Sequence, residues 1–431
     1  MQAPQNNRYA IVIIGILFFV FGFVTWLNGT LIPFLKLACE LKNDTQAFFV
    51  TFAFYMAYFF LAIPSSFILK KTGYKNGMAL GLLVMAIGSV IFIPAANTRI
   101  FGLFLTGLFV QGMGLALLQT ASNPYISIIG PMESAAQRIS IMGICNKVAG
   151  MLSPLILGAL VLKNAGTLQE KITATTSVAE IEVLLNELSA RVITPYIIMA
   201  VLLVLLAIMI KRSSLPEIET SKETVATVGT IEKTSVFQFP HLMLGVLCLF
   251  LYVGVEVMAG DAIGTYGRQL GMPLDETKYF TTFTLFCMLA GYAIGIFTIP
   301  KYISQQKALA ISAVLGVIFS VAVFVSSGYV SIIFIALLGL ANALMWPAIF
   351  PLAINGLGRF TKIGAALLVM GIAGGALLPL LYTSLKDKGI LSNSAAFLVC
   401  ILPAYLYILY YAIKGYAVGR PGADSSELQA A

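Results

Sequence analysis

Charge is scarce in this 431-residue chain: Asp, Glu, Lys and Arg make up 10% of it, against about 25% in an ordinary soluble domain. There is one histidine, His241, and there are two tryptophans; the five cysteines (Cys39, Cys145, Cys248, Cys287 and Cys400) stand apart in or beside apolar runs. Cysteines so placed form neither a disulfide framework nor a zinc site. His241, where a polar loop meets an apolar run, is expected to be interfacial and without chemistry. No HExxH, GxSxG, Walker or Gly-rich dinucleotide motif is present, so the signatures of hydrolytic, ATP-driven and nicotinamide chemistry are missing. An enzyme is not expected, nor a cofactor or metal. The 26 basic residues exceed the 18 acidic ones, yet no basic patch interleaved with aromatics accompanies the excess, which argues against nucleic acid as a partner.

What is abundant is apolar sequence, 59% of the chain. Runs occur at about 9–36, 46–69, 77–95, 100–128, 138–162, 192–210, 242–266, 278–299, 307–326, 330–354, 362–384 and 394–414, each long enough to cross a bilayer at about 20 residues per helix. The expectation is an all-α protein with twelve transmembrane helices. The first run follows Arg8, exceeds signal-peptide length and lacks a small-residue cleavage site, so it is expected to stay. An even number of spans puts both termini on one side. Lys and Arg are in excess in the loops of that side, which makes it cytoplasmic. The polar stretch 211–241 reads as a cytoplasmic linker between an amino-terminal six-helix bundle, 1–210, and a carboxy-terminal one, 242–431. In the loop 163–191, Ser177 with Glu180 resembles a capping box ahead of Ile181, Leu184, Leu185 and Leu188 at helical spacing, which predicts a short amphipathic helix on the outer membrane face.

The halves repeat each other weakly. At an offset of about 232 residues, Gly22 maps on Gly254, Gly29 on Asp261 and Phe48 on Phe280; a second alignment pairs Gly112–Pro124 with Gly339–Pro351. Two six-helix halves related in parallel imply a site near the bilayer midplane, between them.

Polar side chains inside spans are costly unless they face a cavity or a partner, so function is sought there. Asn28, Gln119, Asn123 and Asn342, each near a Gly or Pro that opens the packing, together with Trp26 and Trp346, suit a neutral polyhydroxylated solute. Amides donate to and accept from hydroxyls, and aromatic rings pack on the apolar face of a sugar. No arginine lies inside a span to meet an anion. Glu256 is preceded by the apolar run Cys248–Val255 and sits too deep to reach either surface. It must be protonated, paired or coordinating an ion, which marks it as a coupling group. Asp261 lies five residues on, about 140° around an ideal helix, and faces the same cavity only if the helix unwinds at Gly260. Lys147 falls about 13 Å beyond Arg138 along its helix, at a depth similar to that of Glu256, so an ion pair across the halves is expected.

The runs FFVFGFVTWLNGTLIPFLK, VTFAFYMAYFFLAIPSS, LLQTASNPYISIIGP, NKVAG, YVGVEVMAGD and MWPAIFPLAINGLG together resemble the fucose–proton symporter family of the major facilitator superfamily, in its glucose/galactose transporter branch. The superfamily's loop signature between helices two and three is degenerate: Ser66 replaces its first Gly and Lys70 its Asp, while Lys71, Gly73 and Lys75 remain. The fucose transporters share that departure. The resemblance implies import of a neutral hexose by H+ or Na+ symport with alternating access, as a monomer in the inner membrane. It departs at the coupling groups. Where the fucose transporters carry a helix-one Asp and a helix-four Glu, this chain has Gly29 and Gln119; Glu256 and Asp261 stand where they have an amide and a hydroxyl residue. The alternatives are an N-acetylglucosamine or fucose carrier, an uncoupled facilitator, or a sugar-sensing membrane receptor.

Overall fold

The computed structural model describes residues 5–129, 135–213, 215 and 234–420, and among them there is no strand. The chain begins with α1 (Gln5–Thr25) and α2 (Asn28–Ala38), which form one broken span, then α3 (Asp44–Ala47), α4 (Phe49–Thr98), α5 (Phe101–Ile128) and α6 (Ala135–Leu160). Two short helices follow, α7 (Ala165–Ala174) and α8 (Val178–Ala190), before α9 (Ile193–Arg212). The second set comprises α10 (Pro240–Gly260), α11 (Ala262–Gln269), α12 (Leu274–Thr277), α13 (Phe280–Thr298), α14 (Gln305–Val325), α15 (Gly328–Asn342), α16 (Met345–Ile354), α17 (Thr361–Met370), α18 (Gly374–Asp387) and α19 (Asn393–Ile413).

Eleven stretches of the described residues are long and apolar enough to cross a membrane, and one of them, Asp44–Thr98, is 55 residues long. At 1.5 Å per residue that is about 80 Å, more than twice a hydrocarbon core. The stretch is two spans. At Gly73 the backbone turns through φ 76°, a left-handed conformation that glycine adopts without steric cost, so α4 bends there and returns. Twelve spans result, as the sequence predicts. Their outward faces carry large apolar side chains, among them Phe67, Ile87, Phe286 and Val325, which in a bilayer meet lipid.

The predicted outer helix is α8, where the Ser177 hydroxyl accepts from the Glu180 backbone N–H at 3.4 Å. Sequence reasoning missed its partner α7, whose residues lack a strong apolar stripe. The linker expected at 211–241 lies mostly outside the described residues. His241 is buried in the first turn of α10, with its Nε2 3.1 Å from the Asn355 carbonyl oxygen.

Backbone packing decides where polar groups end up. A Cβ on Gly22 would collide with the Asn146 carbonyl, and one on Gly374 with the Phe250 carbonyl. The missing side chains let α1 settle against α6 and α10 against α18, equivalent pairs in the two halves. The first contact brings Asn146 and Lys147 up against the break between α1 and α2. Breaks interrupt other spans too. α10 gives way to α11 at Asp261, and α15 to α16 at Ala343 and Leu344, where Pro347 cannot donate to the Ala343 carbonyl. Discontinuous helices leave backbone groups without their usual partners inside the helix.

Candidate functional site

A cavity of about 90 Å³ lies between the halves, tighter than the roughly 300 to 1,000 Å³ usual for drug-sized ligands. Its walls include Trp26, Gln119, Asn123, Lys147, Glu256 and Trp346. Six of the nine residues singled out from the sequence are thus brought together. Asn28, Asn342 and Asp261 are buried but outside these walls.

The aromatic floor and ceiling come from the two breaks. Trp26 sits between α1 and α2, almost fully buried, and its Nε1 donates to the Asn146 side-chain oxygen at 3.4 Å. Trp346, at the start of α16, stacks on Phe350 at 5.9 Å and tilts against Tyr252 at 6.4 Å. Polar edges come mainly from α4 and α5. Gln119 Nε2 donates to the Tyr58 hydroxyl at 3.1 Å, which fixes the amide with its oxygen available. Asn123 is one turn further along the same helix.

The expected ion pair is present. Lys147 Nζ lies 2.8 Å from Glu256 Oε1, and both side chains are largely buried, at 6% and 12% exposure. The ammonium also stands 4.3 Å from the centre of the Trp26 ring, a cation–π contact that helps offset its desolvation. The pair makes the charge of the cavity wall compensate internally. No uncompensated cation is offered to an anionic ligand by this pair.

The residues outside the walls have other surroundings. Asn342 Oδ1 accepts from the Tyr405 hydroxyl at 2.8 Å, a cross-link between α15 and α19. Neither amide atom of Asn28 has a hydrogen-bond partner, and neither carboxylate oxygen of Asp261 has one. Sequence reasoning missed Tyr55, Tyr58, Tyr252 and Tyr292 in the walls. A tyrosine in an apolar run carries no signal that separates a cavity wall from core packing. Asn146 also lines the cavity.

Groups bridge the halves on both faces of the membrane. On the face opposite the termini, Asp44 accepts from Lys36 of its own half and from Lys386 of the other, and Gln269 Nε2 donates to it at 3.0 Å. Thr45 donates to Asp387 through its backbone N–H at 2.7 Å and its hydroxyl at 2.8 Å. Lys278 donates to the Leu162 carbonyl at 3.2 Å and pairs with Asp275 at 2.8 Å. On the termini face, Gln137 Nε2 is 3.5 Å from the Ile296 carbonyl and the Lys362 ammonium 5.8 Å from the Tyr74 ring. The contacts on the face opposite the termini form a polar latch between the halves.

Comparison with known proteins agrees with this architecture. The Major Facilitator Superfamily model matches residues 14–380. The chain is 32% identical over 417 residues to the glucose/galactose transporter of Brucella abortus, covering 96% of each protein, and 28% identical over 382 residues to the L-fucose-proton symporter of Escherichia coli, covering 87% of each. The crystal structure of the E. coli fucose:proton symporter superposes with a TM-score of 0.74 at 26% identity, over 94% of this chain and 98% of that one. The proton:xylose symporter shares the fold at 13% identity and a TM-score of 0.70. The chain belongs to the Major Facilitator Superfamily, in the glucose/galactose transporter branch of its fucose–proton symporter family.

Proposed function

We propose that the protein is a secondary transporter that takes up a neutral hexose, glucose or galactose first, together with a proton, by alternating access across the plasma membrane. The observation that carries this reading is the cavity itself: two tryptophans, four tyrosines and three amides surround an ion pair that cancels its own charge. Rings bury the apolar face of a pyranose, while amide and phenol groups meet its hydroxyls. Trp26, Gln119, Asn123 and Trp346 are the sugar contacts in this reading. Asn28 and Asn342 shape the wall from behind. Lys147, Glu256 and Asp261 serve coupling. The relatives named as glucose/galactose transporters and fucose-proton symporters support both the substrate class and the proton.

The two six-helix halves, with the segment between α9 and α10 as their cytoplasmic link, move as units. Contacts on the face opposite the termini break as that face opens, and those on the termini face break in the other half of the cycle. Both termini are in the cytoplasm, following the Lys and Arg excess of their loops, and one chain suffices for the path. A second reading, an uncoupled facilitator, is favoured by one observation: Glu256 is already neutralised by Lys147. Counterflow of labelled glucose, galactose, fucose and N-acetylglucosamine in proteoliposomes tests the reading. Exchange of glucose or galactose is expected, and absence of exchange for all four sugars would refute it.

A further inference from the structure

The buried carboxylates of the site are unequal, and the difference points to which one handles the proton. Resting on the sugar–proton reading above, we infer that Asp261 is the residue that loads and releases the proton, while Lys147 and Glu256 stay paired as a fixed dipole throughout the cycle.

The charge count is the first support. Two carboxylates and one ammonium sum to one negative charge when all are ionised, and a single proton brings the cluster to neutrality. Glu256 has its counter-ion at 2.8 Å, and that counter-ion is capped on another side by the Trp26 ring at 4.3 Å. Protonating Glu256 would strand the ammonium in the same low-dielectric wall. Asp261 has no such partner. It is 2% exposed, and neither oxygen has a hydrogen bond of good geometry although the Gly29 backbone N–H is turned toward the carboxyl, an arrangement that an ionised carboxylate tolerates poorly and a neutral acid well.

Local hydrogen bonding is the second support. Asp261 stands at the break between α10 and α11. There Thr281 Oγ1 donates to the freed Gly260 carbonyl and Thr284 Oγ1 to the Ala259 carbonyl, both at 2.8 Å. The Thr281 hydroxyl has one proton and has committed it to Gly260, so its remaining capacity is as an acceptor. Thr281 Oγ1 and Asp261 Oδ1 lie 2.6 and 3.4 Å from the point where a side chain on Gly29 would begin. The absence of that side chain leaves room for the acid's O–H to reach the threonine oxygen. Ionisable neighbours come from three elements: Glu256 on α10, Lys147 on α6 and Tyr55 on α4. The backbone N–H of Gly29, on α2, faces the carboxyl from the other half.

Gly29 and Thr281 belong to opposite halves, so separation of the halves lets water into the gap. In the open state the Asp261 O–H bond breaks, the proton passes to water and the carboxylate is held by hydration. On closure from the acidic side the carboxylate takes a proton from water, the O–H bond forms and the cluster crosses the occluded state neutral. One proton moves with each neutral sugar, and one positive charge crosses per cycle.

The test uses purified full-length protein in proteoliposomes, with wild type, Asp261→Asn and Glu256→Gln measured for hexose exchange at several pH values and for accumulation under an imposed pH difference. Wild type is expected to accumulate sugar up to about tenfold per pH unit at one proton per sugar. Asp261→Asn is expected to exchange sugar at a rate that no longer changes with pH and to accumulate none, its inside-to-outside ratio falling to one. Glu256→Gln is expected to lose exchange along with accumulation, since it strands Lys147. Accumulation by Asp261→Asn overturns the inference, as does a folded Asp261→Asn without exchange, or a Glu256→Gln protein that exchanges but does not accumulate. If Asp261→Asn fails to fold, the wild-type proton-to-sugar ratio from flux reversal still decides, because a ratio of two would require Glu256 to load as well. Wild-type sugar flux that ignores the pH gradient removes the sugar–proton reading beneath this inference; a wild type that accumulates sugar under the pH gradient, with Asp261→Asn doing the same, overturns this inference alone.

Discussion

Cutting one end of the Lys147–Glu256 pair should damage the protein more than removing both. At 2.8 Å and an effective dielectric constant of about 20, the gross Coulomb attraction is about 6 kcal/mol. Desolvation of the two groups consumes most of it, so the pair adds little net stability. Removing one partner leaves the desolvation of the other uncompensated, a cost of about 3 to 5 kcal/mol in comparable buried pairs. Lys147→Met keeps the methylene stem against Trp26 and discards the charge; Glu256→Gln keeps the size and discards the charge. Each single variant should lose about that much, with Lys147→Met also forfeiting roughly 0.5 to 2 kcal/mol of cation–π contact. The double variant restores neutrality, and the coupling in the cycle should reach about 2 to 3 kcal/mol. The assay is thermal unfolding in detergent of wild type, both singles and the double, followed by loss of monodisperse protein. A double variant whose destabilisation equals the sum of the singles would show that the two charges do not support each other, and the reasoning about a self-compensated wall would fail.

Further outcomes follow from the same geometry. Gln119→Ala and Trp346→Ala should each weaken hexose binding by about 1 to 3 kcal/mol, about fivefold to 150-fold in Kd, as read by calorimetry; unchanged affinity in both would displace the site. Asn342→Ala should instead lower thermal stability, because the Tyr405 hydroxyl loses its acceptor at 2.8 Å deep in the carboxy-terminal half. On the face opposite the termini, Asp44→Asn should weaken the latch to Lys386 and shift the protein toward opening there. Cys39, beside the latch, reports on it: burial pushes its thiol up to about 11, partly opposed by the Arg99 charge, so at pH 8 it is almost entirely the unreactive thiol. Hydration on opening should return it toward its ordinary value, and labelling by an impermeant maleimide, in a protein whose other cysteines are replaced, should be faster in Asp44→Asn than in wild type. Equal rates would mean that Asp44 does not hold that face shut.

The parts that were legible in the sequence were those written in hydrocarbon. Twelve spans could be counted because apolar runs have a minimum length, and Glu256 and Lys147 could be paired because a charge that deep has nowhere else to go. The breaks in the spans were less visible. Gly260 next to Asp261 and Pro347 after Leu344 hinted at them, but unwinding depends on Thr281 and Thr284 capping the released carbonyls, contacts some 20 residues away in sequence. The amides divided on partners that sequence could not supply. Gln119 faces the cavity with Tyr58 behind it, whereas Asn342 is turned away to Tyr405. The wall tyrosines went unseen because their spacing is that of any helix face. The polar latch was hidden for the opposite reason: Asp44, Gln269, Lys386 and Asp387 sit at the ends of helices, where charge is expected, and only the fold brings them together.

The central claim is that a neutral hexose crosses through this cavity with a proton, and one measurement addresses it directly. Purified protein in proteoliposomes, neutral inside and about one pH unit more acidic outside, is given labelled glucose or galactose, and uptake is followed before and after a protonophore and valinomycin with matched potassium are added. The account predicts that sugar accumulates above its outside concentration and runs back to equality when the ion gradients collapse. Uptake that never exceeds equality, or accumulation that survives the collapse, would contradict it.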